Sequence, residues 1–454
     1  MSSACGDYKD SVTAKVLADC CTAPEPYIKK LLDLGQTSFS SSNEFVNWAK
    51  CHDDLKVIEQ KVPDGILPDG VSGMLADVKV FSRGPDDAVY DADQELREKV
   101  ARGNTFLQLD DKPWQCIIYA LKKFTGGMGD DDDRSSGGDD VIWKRYFTKS
   151  LDETSYVITL RKANGEAAHM SCIKIHGVHY ICMGSKNVHL LVRKMSDIDK
   201  YSGERYQIAK EIAHSIFSFF KAIGQEKVVR LLNFLSETRL TVVMEILNPD
   251  HQHVEDLSYL GDKSALKFIA WTSTDVSAKS ELCVLPPDIA CDLAADLGFD
   301  PVGYMVMTTS EAESYMLEIR KQHGFEGDVF YYMDCDHNVI GLLKKKTAWY
   351  IMCRAIREKV RNSLRRKQGF DEATTRERIC QRIGEIQKWL DLSDSSTDQW
   401  KNLGKAYLKF VAEELRQGKI TFGDVANKFP VTWTRFLKEK DLVDNIAYDD
   451  DVQS

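Results

Sequence analysis

Several things are missing from this chain, and each absence removes a class of function. No apolar run approaches the roughly 20 residues that cross a bilayer, so no membrane helix and no membrane partner is expected. The twelve cysteines are scattered without a CxxC pair, which argues against both a zinc site and a disulfide framework. No Gly-x-x-x-x-Gly-Lys-Ser/Thr phosphate loop occurs, and no Ser-His-Asp or Cys-His arrangement has sequence support. Met1-Ser2-Ser3-Ala4-Cys5-Gly6-Asp7 has neither a basic stretch nor an apolar core, so no secretory signal is expected and the default setting is cytoplasmic or nuclear. His176, His179, His189, His251 and His253 lack a metal-binding spacing and are expected at the surface or in supporting roles.

What is present is ordinary in bulk: 454 residues, 43% of them hydrophobic, suit two or three globular domains. The net charge of −10 is unevenly placed. Acidic residues gather in Asp130-Asp131-Asp132-Asp133, in Asp139 and Asp140, and in Asp449-Asp450-Asp451, which read as solvated loops, the insert from Gly126 to Asp139 being most simply a mobile one. Basic residues gather after Lys344. Arg354, Arg357 and Arg361 recur at helical intervals, with Arg365 beyond them, so one helix face is expected to be cationic.

The chemistry-bearing residues stand at the ends of apolar runs. In Ile158-Thr159-Leu160-Arg161-Lys162-Ala163-Asn164-Gly165-Glu166 a strand-like stretch delivers Lys162 just before Gly165, whose missing side chain lets the backbone turn close to a ligand. Lys186 follows the run Val178 to Met183. Glu245 is the lone carboxylate of Leu240-Thr241-Val242-Val243-Met244-Glu245-Ile246, and Glu326 precedes Gly327-Asp328-Val329-Phe330-Tyr331. In Leu342-Leu343-Lys344-Lys345-Lys346 alternation points Lys344 and Lys346 to one face and Lys345 to the other.

This order resembles motifs I, Ia, III, IV and V of ATP-dependent RNA ligases, covalent nucleotidyltransferases, with Lys162, Lys186, Glu245, Glu326 and the Lys344/Lys346 pair at the family's functional positions. Arg102-Gly103 looks like the arginine-glycine element upstream of motif I in the branch shared with phage RNA ligases and the sealing domain of fungal and plant tRNA ligases. Arg145-Tyr146-Phe147-Thr148-Lys149 is similar to that branch's Lys-Phe-Phe-Asn signature in degenerate form. Asn164 stands where most of the superfamily has Asp, as tRNA-ligase-like members do. The resemblance covers about residues 95 to 352.

It implies a three-step reaction. Lys162 attacks ATP to form a lysyl-AMP, AMP passes to an RNA 5′-phosphate, and a 3′-hydroxyl then seals the strand and releases AMP. Lys344 and Lys346 are expected to crowd Lys162 toward its neutral form and to neutralise phosphate charge. Arg102, Gly165 and Lys186 belong to the nucleotide site and Glu245 to the ribose. Phe268 or Trp271 would face adenine, with core packing the alternative for Phe268. Glu326 would share a Mg²⁺ or Mn²⁺ ion with phosphate oxygens and water. Arg354, Arg357, Arg361 and Arg365 are expected to contact RNA. With no phosphate-loop kinase motif in the chain, end-healing enzymes (a kinase, a phosphodiesterase or phosphatase) are expected in trans.

The implied fold is α+β: a nucleotidyltransferase domain of antiparallel sheets with flanking helices, ATP-grasp-like, over residues 96–352, then an all-α RNA-specificity domain over 353–454. Residues 1–95 read as a partly helical extension, with helices near 10–19, 27–34 and 43–51 and a glycine- and proline-punctuated stretch from Val62 to Pro85. Tyr206 to Ile223 is predicted as a helix with the stripe Ile208, Ile212, Ile216, Phe219 and Phe220 inward. Ser393 to Thr397 is expected to be a turn between C-terminal helices. The alternatives are an mRNA capping guanylyltransferase or DNA ligase, a catalytically inactive RNA-binding relative, and a structural α+β protein.

Overall fold

The computed structural model describes residues 11–21, 24–35, 40–82, 86–127, 129–130, 141–364 and 371–442. Arg365, the run Asp131-Asp132-Asp133, Asp139, Asp140 and the tail Asp449-Asp450-Asp451 lie outside them. The strands are β1 Leu55–Lys61, β2 Gly73–Val80, β3 Asn104–Leu109, β4 Gln115–Tyr119, β5 Tyr156–Arg161, β6 Glu166–Ile175, β7 Val178–Ser185, β8 His189–Val192, β9 Leu240–Leu247, β10 Ala265–Ser273, β11 Asp300–Pro301, β12 Tyr304–Met307, β13 Gly327–Met333 and β14 Val339–Lys346. The α-helices are α1 Val12–Cys20, α2 Glu25–Gly35, α3 Ser40–Cys51, α4 Asp87–Ala92, α5 Gln94–Lys99, α6 Gln207–Ile223, α7 Gln225–Thr238, α8 Pro287–Asp296, α9 Thr309–Lys321, α10 Ala348–Leu364, α11 Glu372–Leu390, α12 Asp394–Arg416, α13 Phe422–Asn427 and α14 Phe429–Glu439.

Three sheets result, ordered β1-β2-β3-β4, β11-β10-β9-β6-β7-β8 and β12-β5-β13-β14. Their pairings are antiparallel apart from the two-residue β10–β11 match. The chain is therefore a mixed α/β structure of antiparallel sheets with a helical C-terminal region. One core joins the second sheet to α6 and α7, through Met170 and Met244 with Ile212, Ile216, Leu231 and Leu235. The predicted stripe on α6 is buried at Ile212, Ile216 and Phe220, whereas Ile208 at its start stays exposed.

The first sheet draws half its strands from the stretch read as an extension, because β2 pairs with β3 from Gly73↔Leu109 to Val78↔Asn104. Alternation did not reveal β2, since Leu75, Ala76, Asp77 and Val78 are all buried and no polar-out rhythm survives. At the other end β14 runs through Thr347 into α10, and α10 to α14 enclose their own core around Tyr350, Trp400, Tyr407, Trp433 and Phe436. The expected turn at Ser393–Thr397 is instead the first turn of α12, capped by the Ser393 hydroxyl, which accepts the N–H of Ser396 at 3.1 Å. The acidic run begins with a residue that is not solvated. Asp130 is buried, takes both terminal nitrogens of Arg320 at 2.8 and 2.7 Å, and accepts the backbone N–H of Lys346 at 2.7 Å.

Candidate functional site

Sheet register sets the charged strand ends side by side. In the third sheet Arg161 pairs with Asp328 and Gly327 with Lys346, so Lys162 and Glu326, one residue beyond β5 and one before β13, meet Lys346 at one edge. The backbone closes this corner: the N–H of Lys162 donates to the Gly327 carbonyl at 2.9 Å and that of Thr347 to the Glu326 carbonyl at 3.0 Å. Only glycine fits at 327, where φ is 142° and a Cβ would stand 2.0 Å from the carbonyl oxygen of Lys345. Lys162 Nζ lies 3.1 Å from Glu326 Oε2, and Lys346 Nζ lies 3.5 Å from Glu326 Oε1. Lys345 points the other way, its Nζ 3.8 Å from Asp130, as strand alternation predicts.

Asn164 organises the corner. Its amide donates to Glu326 Oε2 at 2.8 Å and to the Tyr350 hydroxyl at 3.0 Å, while its carbonyl accepts the N–H groups of Val254 at 3.0 Å and Glu255 at 3.2 Å. A carboxylate could not donate to Glu326, so the asparagine is fitted to this neighbour. Gly165 passes so near β9 that a Cβ would fall 2.2 Å from the Ile246 carbonyl oxygen, and its N–H donates to Glu245 at 2.7 Å. The glycine thus lets two strands approach and fixes the Glu245 carboxylate.

Lys162, Glu245, Glu326 and Lys346 line a cavity of about 390 Å³ together with Arg102, Lys123, Phe124, Arg161, Lys344 and Arg354. Eight cationic side chains and four carboxylates line it, so the local field is positive despite a negative chain. Burial alone would push the Lys162 amine down, but the carboxylates of Glu326 and Glu245 outweigh it and hold it well above the ordinary lysine range. The expectation that Lys344 and Lys346 make Lys162 neutral does not match this arrangement, in which the amine is a salt-bridged ammonium. The lysines of the lining that are pushed down to about 8 are instead Lys122, by burial, and Lys123, paired with Asp87, by burial and by the charges of Lys344 and Arg102. Glu245 is raised above the usual carboxylate range by burial. Glu255, which accepts the backbone N–H of Glu326 at 2.5 Å, is pushed up to about 7 by burial and by the charges of Glu326 and Glu245.

Of the residues expected from sequence, Arg102, Lys162, Glu245, Glu326, Lys344, Lys346 and Arg354 reach the cavity. Lys186 joins them indirectly, through Asp86, whose Oδ2 lies 2.8 Å from Lys186 Nζ and 2.6 Å from Arg102 Nη1. Burial opposes the charge on Asp86, but Arg102 and Lys186 hold its carboxyl well below the usual range. Phe268 and Trp271 do not reach the cavity. Both are fully buried, Phe268 packing on Trp271 and Phe299 at centroid distances of 5.0 and 6.0 Å, because a register shift between Phe268 and Ala270 turns Ile269 to the cavity wall. Arg357 is buried against α13, its guanidinium 2.7 Å from Glu358 and 3.4 Å from the Ala426 carbonyl, and Arg361 lies 3.4 Å from the same Glu358, so these two arginines of α10 are glutamate-paired. The Arg145–Lys149 element also stands apart from the cavity: Phe147 packs on Trp143 and Tyr332, and Lys149 pairs with Asp334 at 2.7 Å.

Sequence reading missed Asp86, Asp87, Lys123, Phe124, His169 and Glu255. Lys123 and Phe124 carried a usable signal, since they follow the apolar run Cys116 to Leu121 as Lys162 follows its own strand. Asp86 and Glu255 carried none, their partners Lys186 and Glu326 being 100 and 71 residues away. Among the described residues no three His, Cys, Asp or Glu side chains converge as a metal cage. Glu326 is a hard oxygen donor that could give Mg²⁺ or Mn²⁺ one ligand, leaving phosphate and water to supply the others.

No curated protein and no solved structure matches the chain. A family model described as a domain of unknown function, DUF7920, matches residues 65–357, which include every residue that lines the cavity. That is well over half of the chain, and the chain belongs to the DUF7920 family.

Proposed function

We propose that this protein is an ATP-dependent RNA ligase, built on a nucleotidyltransferase domain, with Lys162 as its nucleophile. The observation that carries the reading is the Lys162–Glu326–Lys346 cluster, with amine–carboxylate distances of 3.1 and 3.5 Å, at a cation-lined cavity of about 390 Å³. That volume suits a nucleotide. The α-phosphate would lie at Lys162, whose nitrogen attacks phosphorus as the bond to pyrophosphate breaks. Arg102, Lys123, Lys344 and Lys346 would carry the phosphate charge, Glu245 would face the ribose hydroxyls, and Phe124, Ile269 and Tyr331 offer apolar walls for the base. Phosphoryl transfer asks mainly for positioning and charge stabilisation, which fits a lining of Lys, Arg and Glu.

Lys162 must shed its proton before it attacks, and Glu326 is the group that retains that proton. A divalent ion on Glu326 would supply neutralisation of phosphate charge and would draw the carboxylate away from the amine. The activated end is then an RNA 5′-phosphate, joined by a 3′-hydroxyl. Arg354, on α10 at the cavity rim, is the arginine of the expected series best placed to meet that RNA, with the helical C-terminal region selecting the substrate. Healing of damaged ends falls to separate enzymes. The test is joining of RNA bearing 5′-phosphate and 3′-hydroxyl ends in the presence of ATP and Mg²⁺: the wild-type protein should join them and Lys162→Ala should not. Equal joining by the variant would end the assignment of Lys162.

A further inference from the structure

A second cavity, of about 290 Å³, adjoins the first and has no part in the chemistry described so far. The two share Lys122 and Lys123, whereas Lys162, Glu326 and Lys346 line only the first. An antiparallel bridge between Ala101 and Lys122 holds the shared segment just past β4. One wall is the Arg145–Lys149 element, which the first cavity left without a role: Arg145, Tyr146, Phe147 and Thr148 all line the second. Arg97 and Glu98 of α5 complete it with Lys279, Ser280 and Leu282. Arg145, Lys279 and Ser280 are exposed, so the groove opens to solvent on that side.

Charge is what marks this groove. Arg97, Lys122, Lys123, Arg145 and Lys279 line it against one carboxylate among the described residues, Glu98. Two of these cations are anchored by peptide carbonyls. Lys122 Nζ donates to the carbonyls of Ala278 and Lys279 at 3.0 and 2.5 Å, and Arg97 Nη1 to those of Tyr90 and Asp91 at 2.8 and 2.9 Å. Arg97 also lies over the Tyr146 ring, 5.8 Å from its centroid. Carbonyls use up the hydrogens and fix these side chains, but they leave the positive charge standing. The acids nearby have other work: Glu281 is paired with Lys30 at 3.1 Å, Asp91 accepts the Tyr146 hydroxyl at 2.5 Å, and Asp87 is paired with Lys123. An open, fixed and positive groove fits a phosphodiester backbone.

We infer that this groove holds the RNA strand that carries the 5′-phosphate, with that phosphate directed past Lys123 into the nucleotide cavity and the backbone lying along Arg145 and Lys279. The inference rests on the ligase reading above. In the second step of that reaction a 5′-phosphate oxygen attacks the phosphorus of lysyl-AMP. The new P–O bond forms as the P–N bond breaks, and Lys162 leaves with the bonding pair and takes up a proton from solvent. Displacement in line brings the entering oxygen to the side of phosphorus away from Lys162. The groove meets the nucleotide cavity at Lys122 and Lys123 and not at Lys162, so a strand entering past Lys123 satisfies that requirement.

The test follows binding of a 5′-phosphorylated single-stranded RNA oligonucleotide to the full-length protein by fluorescence anisotropy across a salt series. Arg145→Ala and Lys279→Ala change exposed side chains. The double variant should bind this RNA about tenfold more weakly, with a salt slope shallower by about 1.4 for two lost phosphate contacts. Its binding of ATP should be unchanged. Glu98→Gln removes the groove's carboxylate and should tighten RNA binding about threefold, a gain that no loss of folding can mimic. Equal RNA affinity and slope in the wild-type protein and the double variant would overturn the inference, as would an equal loss of ATP binding. A double variant that kept its affinity for RNA and lost it for inorganic pyrophosphate would give the groove to the leaving group and also overturn it. Failure of the wild-type protein to bind ATP would sink the ligase reading instead, and the RNA affinities would still decide the groove.

Discussion

Replacing Asn164 by aspartate probes the corner that joins the nucleophile's strand to its carboxylate. The change removes the amide that donates to Glu326 at 2.8 Å and sets a second carboxylate there. Two charges this close are not tolerated, and one carboxyl takes a proton. That escape caps the cost, because protonating an ordinary carboxyl at pH 7, about three units above its reference value, requires about 4 kcal/mol. The protonated aspartate then donates as the amide did. Lys162 and Lys346 offset part of the added charge, so Asn164→Asp should destabilise the fold by about 2–4 kcal/mol at pH 7 and by about 1 kcal/mol at pH 5. Thermal unfolding followed by circular dichroism should show a midpoint lowered by roughly 2–4 °C at pH 7 and by about 1 °C at pH 5. A deficit equal at both pH values, or none at pH 7, would refute the argument that a neutral donor is needed beside Glu326.

Gly165→Ala forces a Cβ to within 2.2 Å of the Ile246 carbonyl oxygen and should cost about 2–4 kcal/mol; an unchanged unfolding midpoint would mean that β6 and β9 part easily. Glu255, pushed up to about 7, keeps its proton in the folded chain where an unfolded glutamate has lost it, so its contribution to stability falls as pH rises from the ordinary carboxylate value through about 7. Glu255→Gln keeps an acceptor for the Glu326 N–H and removes the charge, so it should raise the unfolding midpoint at pH 8, by about 1–3 kcal/mol of stability, and leave it unchanged at pH 4. Equal midpoints at pH 8 would contradict this. Asp86→Asn releases Arg102 and Lys186 from their shared carboxylate and should tighten ATP binding about tenfold in calorimetry; weaker binding would show instead that Asp86 positions those cations.

The sequence revealed what depends on one strand and its end. Lys162, Glu245, Glu326, Lys344 and Lys346 each stand out as a charge in or beside an apolar run, and alternation alone separated Lys345 from its neighbours, as its approach to Asp130 bears out. The helix α6 followed from periodicity for the same reason. What depends on packing between distant segments was not legible. Asp86 meets Arg102 and Lys186 only after the sheets assemble, and Asp130 reads as one acid among many until Arg320 buries it. At a bulge in β10 Phe268 turns into the core and Ile269 reaches the cavity instead, and α13 covers Arg357, which helical spacing grouped with Arg354 and Arg361 on one cationic face. His169 and His189 are 20 residues apart and gave no pattern, yet the second sheet makes them one unit.

The account turns on a covalent nucleotide at Lys162, and the most direct measurement is labelling of the purified protein with α-labelled ATP, or separately GTP, with Mg²⁺, followed by denaturing electrophoresis and peptide mapping. The account predicts an acid-labile label from ATP on Lys162, absent from Lys162→Ala. Labelling by GTP alone would move the protein to the capping class, and no label from either nucleotide would contradict the claim that Lys162 is a nucleophile.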